Sequence, residues 1–200
     1  MLDKLKPSSV WKYFGEICAI PHGSGNIGAI SAYLQKFAED RGLAYIAEPC
    51  GNVIIRKDAT PGCESAPAIV LQGHMDMVAV KEDGCTKDME KEGLDVAVSD
   101  DGQFVYAKGT SLGGDDGIAL AYGLALLDAD DIAHPAFELV ATVDEETGMD
   151  GARELLATDV RGRRWLNLDS EDEGILLAGC AGGLTQMSTF SVTRDTVSGS

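Results

Sequence analysis

The sequence predicts an α/β fold, a mixed and mostly parallel sheet flanked by helices, and three observations point to it. Short apolar stretches at residues 68–72, 137–143 and 164–168 suit strands covered on both faces. Apolar residues at helical spacing occupy the chain around them. Each of the three stretches also ends abruptly in polar residues, at the carboxyl edge where open α/β sheets bind their ligands.

Taken in order, Ser8 or Ser9 is a candidate cap for a first helix whose stripe is Val10, Trp11, Phe14, Ile17 and Cys18, ended by Pro21. Ile27, Ile30, Leu34, Phe37 and Ala38 form a second stripe, and Gly42 sits where a helix commonly stops. Residues 43–47 and 52–56 read as a strand pair turning through Pro49 and Gly51, near the sheet edge. A loop rich in Pro, Gly and Ser spans 58–67, before the strand at 68–72 runs into Gly73, His74, Met75 and Asp76. Residues 80–97 form a charged surface excursion, and Asp100–Asp101–Gly102 turns a hairpin between 96–99 and 104–107. The glycine-rich stretch 109–117 opens a helix of small residues at 118–127. It lacks the lysine of a phosphate loop, and its Asp115 and Asp116 would repel phosphate, so a cation suits it better.

The run 137–143 is the central strand, delivering Asp144, Glu145 and Glu146 at its end. On an extended backbone Glu145 and Glu146 point to opposite sides and can take two roles. A short helix at 148–156 follows, then the strand 164–168 with Asp169 beyond it. Residues 175–178 read as a further strand, 179–183 as a glycine-rich approach, and 184–192 alternate like an exposed strand. His22 and His134 read as ordinary loop or packing residues.

Two hundred residues with 44% apolar content support one compact domain or a piece of a larger one. A net charge of −17, from 16 basic and 33 acidic residues, argues against nucleic acid and anionic membranes as partners. The five cysteines, Cys18, Cys50, Cys63, Cys85 and Cys180, have no CxxC pair and fit reduced thiols in a cytoplasmic protein. The amino terminus lacks the apolar core of a signal peptide, and the longest apolar run, 117–127, is too short to span a bilayer.

The polar strand ends gather His74 and Asp76, Asp115 and Asp116, Glu145 and Glu146, and Asp169. One imidazole with several carboxylates and no thiolate suits zinc, manganese or cobalt, and the surplus of carboxylates suits two ions. A bridging aspartate holds such ions roughly 3.5 to 4 Å apart. Asp76, two residues past His74, is placed to fix the ring through its other nitrogen.

The stretches AIVLQGHMDMV, GTSLGGDDGIALAYGLALL, LVATVDEETGMDGA and LNLDSEDEGILLAGCAGG resemble the successive motifs of the di-zinc aminoacylase, carnosinase and tripeptidase family. The second and fourth point more narrowly to its aminoacyl-histidine dipeptidase branch. The resemblance implies a di-zinc exopeptidase-like catalytic domain that hydrolyses dipeptides, Xaa-His and carnosine-like compounds in particular. It makes His74 and Asp169 each a ligand of one metal, Asp115 the bridge, Glu146 a ligand of the second metal, Glu145 the general base and Asp76 the residue orienting His74. It also implies a cis peptide between Asp115 and Asp116. Members run well beyond 400 residues, with an inserted lid that forms a homodimer and a further ligand histidine near the carboxyl terminus. Here no histidine follows Asp169, so residues 1–187 read as the first segment of the catalytic domain and 188–200 as the start of the crossover toward the lid. Two alternatives stand beside it: an N-acyl amino acid deacylase of the same fold, since metal motifs do not encode the acyl group, and a non-catalytic metal-binding scaffold.

Overall fold

The computed structural model describes residues 2–170, 174–179, 182, 184 and 186–193. The chain divides into two units, Met1–Ser170 and Glu171–Ser200. In the first, a 3-10 turn at Leu2–Lys4 precedes helices α1 (Ser8–Cys18) and α2 (Gly28–Asp40), then strands β1 (Ala44–Ala47), β2 (Val53–Lys57) and β3 (Ile69–His74). The small hairpin β4 (Val96–Val98) and β5 (Val105–Ala107) leads to α3 (Gly114–Asp128), β6 (Phe137–Thr142), α4 (Asp150–Glu154) and β7 (Arg164–Asn167).

Five strands form one sheet in the order β1-β2-β6-β3-β7, with β6 at its centre, and β4 and β5 pair separately. β6 runs parallel to β3 and β3 to β7, whereas β2 is antiparallel to both of its neighbours. Four strands therefore share one direction and β2 alone is reversed. The carboxyl ends of β3 and β6 finish level, His74 opposite Thr142. Because β2 is reversed, its first residue, Val53, lies opposite Ala141 at that same rim.

One face of the sheet, through Leu71, Leu139 and Ala141, packs with α1, α2 and α3 into the main core, which includes Phe14, Ile17, Ile30, Leu34, Leu120 and Leu124. Each such fully buried side chain contributes about 1.5–3 kcal/mol. Small residues let α3 lie close: a Cβ on Gly123 would stand 2.4 Å from Leu139 Cδ1. The other face carries a smaller cluster of Ile54, Val70, Val140 and Val160. Glu138, the one charge in β6, is buried but satisfied: Arg56 Nε donates to it at 2.8 Å, and the Arg161 and Gly162 N–H groups donate at 2.8 Å each.

Several expectations change. α1 takes Pro7 as its N-cap with no side-chain cap bond, so Ser8 lies inside the helix. α4 is shorter than 148–156, because 145–148 form a tight turn first. His22 and His134 are buried, and His134 stacks edge-on against Phe137. Residues 175–178 and the described part of 184–192 are not strands, since apolar alternation needs a partner edge and none pairs with them among the described residues. Residues 171–173, 180, 181, 183 and 185 lie outside the description, and Cys180 with them; Cys18, Cys50, Cys63 and Cys85 are free thiols. No helix among the described residues is long and apolar enough to cross a membrane.

Candidate metal centre

The centre forms where β3, β6 and β7 finish and α3 begins. His74, the last residue of β3, is buried, and its two ring nitrogens meet different neighbours. Nδ1 lies 2.9 Å from the carbonyl oxygen of Asp76 and 3.3 Å from its carboxylate. A carbonyl only accepts, so Nδ1 carries the proton. In the neutral ring Nε2 is then a bare lone pair, and it stands 2.8 Å from Asp115 Oδ1. A lone pair facing a carboxylate is repulsive unless a proton or a metal cation mediates. Without a metal the ring takes the proton: burial lowers the imidazole, but hydrogen bonds to Asp76 and Asp115 outweigh it and push His74 up to about 10.

Asp115 and Asp116 are joined by a cis peptide, as the resemblance implies, and neither has helical backbone angles although both lie in the first turn of α3. Their carboxyl groups meet different neighbours. Asp115 is mostly exposed, with its oxygen toward His74 Nε2. Asp116 is buried against Gly73 and accepts the His74 N–H at 3.3 Å. Burial foremost, then the nearby Asp169 and Asp115, push the Asp116 carboxyl up to about 7 despite the opposing pull of His74.

Glu145 and Glu146 sit in a turn and not on extended backbone, because Asp144 adopts a left-handed φ of 50°. Both of their N–H groups point at the Asp76 carboxylate, at 3.0 and 3.4 Å, and Ser24 Oγ donates to it at 2.8 Å. Asp76 is buried, which would raise its carboxyl, yet the donors from His74, Ser24 and the Glu145 backbone hold it down to about 2. The carboxylate thus braces the acidic turn as well as the imidazole. The Glu145 and Glu146 carboxyls are raised, first by burial and then by the neighbouring acids, with His74 opposing.

Among the described residues, two sets of donor atoms lie within 4.8 Å of one another: His74, Asp115 and Glu146, and His74, Asp116 and Asp169. The sequence-derived residues His74, Asp115, Glu146 and Asp169 are therefore gathered around one imidazole, with Asp116 beside them. Glu145 and Asp169 also line a cavity of ≈ 270 Å³ together with Thr142, Met149, Trp165 and Asn167. His22 joins neither set. The donors fit a divalent cation: imidazole nitrogen and carboxylate oxygen only, with an excess of negative charge around one ring. Sequence reasoning missed Ser24, whose only signal is its glycine-flanked position after Pro21, and the buried pair Glu48 and Asn52 beneath the acidic turn.

The chain is similar to known proteins over most of its length. The chain is 37% identical over 196 residues to the cytosol non-specific dipeptidase of Escherichia coli (strain K12), covering 98% of this chain and 40% of that protein. The crystal structure of an aminoacylhistidine dipeptidase from Vibrio alginolyticus superposes with a TM-score of 0.84 at 40% identity, over 87% of this chain and 35% of that one. A tripeptidase from Staphylococcus aureus follows with a TM-score of 0.68 at 25% identity, over 82% of this chain and 43% of its own. The chain thus spans less than half the length of these relatives. The pattern of peptidase family M20/M25/M40 matches residues 70–184, a stretch that runs from β3 past Asp169 and contains every donor residue just described, and the chain belongs to that family.

Proposed function

We propose that this chain carries the metal-binding catalytic face of a dipeptidase. It would hold two divalent ions, zinc in preference to manganese or cobalt, with His74 and Asp169 on one, Asp115 between both and Glu146 on the other. The observation that carries the reading is Nε2 of His74 set 2.8 Å from Asp115 with Glu146, Asp116 and Asp169 also in reach. Bound there, a divalent cation supplies Lewis acidity toward a carbonyl oxygen and lowers the pKa of water. Asp76 holds the His74 ring in the tautomer that presents Nε2. Glu145, with its carboxyl raised above the usual range by burial, takes a proton from the attacking water as the new C–O bond forms. It returns that proton to the amine nitrogen as the C–N bond breaks, so no acyl-enzyme is needed. Dipeptides with carboxyl-terminal histidine are the substrate class we favour, because the Vibrio relative is an aminoacylhistidine dipeptidase and the E. coli relative a dipeptidase. The cytosolic name of the latter also supports a cytoplasmic setting.

The test compares the zinc-loaded protein with Glu145→Gln on β-alanyl-histidine and on N-acetyl-histidine, scoring histidine and acetate release alongside bound zinc. The expected result is preferential cleavage of the dipeptide, a loss of about 10²- to 10⁴-fold in the variant, and unchanged zinc content. Full activity in Glu145→Gln would remove its role as base, and preferential acetate release would make the protein a deacylase.

A further inference from the structure

Every polar atom of the Asn52 side chain is committed to the base of the acidic turn. Asn52 is 0% exposed and immediately precedes β2, at the rim where β6 ends. Its Oδ1 accepts the Val143 N–H at 3.0 Å, and its Nδ2 donates to the Gly151 carbonyl at 2.8 Å and to Glu48 Oε2 at 2.6 Å. Glu48, 5% exposed, accepts the Leu156 N–H on its other oxygen at 2.9 Å. Gly151 N–H in turn donates to the Val143 carbonyl at 2.9 Å. Residues 144–150 therefore leave the end of β6 and come back beside it at Gly151, the gap closed by a ring of hydrogen bonds. The fit is tight: a Cβ on Gly151 would stand 2.4 Å from both Asn52 Oδ1 and the Val143 nitrogen.

The segment held this way contains Glu145 and Glu146, and it has two non-glycine residues with left-handed backbone, Asp144 and Met149. Such conformations persist only where the surroundings over-determine them. We propose that Asn52, oriented by Glu48, is a positioning residue that sets where Glu145 and Glu146 stand relative to His74 and Asp115. The inference rests on reading that cluster as a metal centre. Asn52 acts through the backbone of the turn and touches none of the reacting groups. A carboxamide is required because one planar group must accept once and donate twice. Aspartate, nearly the same shape, only accepts, and would set a carboxylate against the Gly151 carbonyl and Glu48.

The experiment is a Co²⁺ titration of the full chain, read by its visible absorption, beside thermal unfolding of each metal-free protein. The wild type binds Co²⁺ with a defined spectrum. Asn52→Asp weakens binding about 10- to 100-fold and shifts the bands, whereas Phe37→Leu, in α2 and remote from the rim, lowers the unfolding temperature with binding and spectrum unchanged. Adding Glu48→Gln to Asn52→Asp supplies a donor where one was lost and recovers part of the affinity. If Asn52→Asp does not fold, Glu48→Gln alone, which replaces one accepting oxygen with a donor, gives a smaller decrease in the same direction. Wild-type affinity and spectrum in both Asn52→Asp and Glu48→Gln overturn the positioning role and leave the metal centre standing. No Co²⁺ complex in the wild type overturns both.

Discussion

Asp76 shows how a residue's neighbours define its work. Its sequence position, two past His74, suggests service to the imidazole alone, yet its carboxylate also receives Ser24 and both N–H groups of the acidic turn. That second duty depends on a turn conformation that no local pattern encodes, so it was not legible. The donor residues themselves were legible, because an apolar strand ending in His or Asp marks a rim wherever the sheet is placed. Gly73 has a comparable hidden constraint. A Cβ there would stand 2.6 Å from Asp116 Oδ2 and 2.7 Å from Ala119 Cβ. Gly73→Ala should therefore destabilise the fold by about 1–3 kcal/mol, measured by urea unfolding.

At the scale of elements, apolar runs and helical stripes placed α1, α2, α3, β1–β3 and β6 with small shifts at their ends. Residues 175–178 failed as a strand because pairing, unlike helix formation, depends on a distant partner. The Arg56–Glu138 pair that ties β2 to β6 was equally invisible, since Glu138 reads as a lone charge in an apolar run. Burial alone would raise the Glu138 carboxyl, but the Arg56 guanidinium and the N–H groups of Gly162 and Arg161 hold it below the usual range. A folded value below the unfolded one means stability that is present above the ordinary carboxylate range and is lost as pH falls through the depressed value. Glu138→Ala should cost about 3–5 kcal/mol at neutral pH, by leaving Arg56 uncompensated. Urea midpoints from pH 7 down to 3 should fall less steeply in Glu138→Gln than in the wild type, and Arg56→Met with Glu138→Leu should recover only part of the loss, because the Arg161 and Gly162 N–H groups are left without an acceptor.

For the whole molecule, the net charge of −17 has a partial explanation in the acids gathered around one imidazole. A cation that binds the folded state alone stabilises it by about 2.7 kcal/mol at a hundredfold excess over its Kd. Zinc should accordingly raise the thermal midpoint by about 5–10 °C, and chelation should reverse it. General neutralisation of surface charge would give a shift insensitive to His74→Ala. The metal centre instead requires that His74→Ala abolish the shift and that Asp40→Asn, an exposed acid at the end of α2, retain it.

The single backward strand, β2, has an entropic corollary. By running against its neighbours it delivers Asn52 to the finishing rim through a short hairpin, where a parallel strand would need a crossover of a dozen or more residues. The bond from Asn52 to Val143 nevertheless spans 91 positions of chain. Closing so wide a span costs chain entropy before the contact rewards it, and the bond sits beside the equally distant β2–β6 pairing. The acidic turn thus takes its working shape only with the sheet assembled, and detaching the β1–β2 hairpin would release the chemistry and open the core together, since Val53 and Ile55 are part of that core.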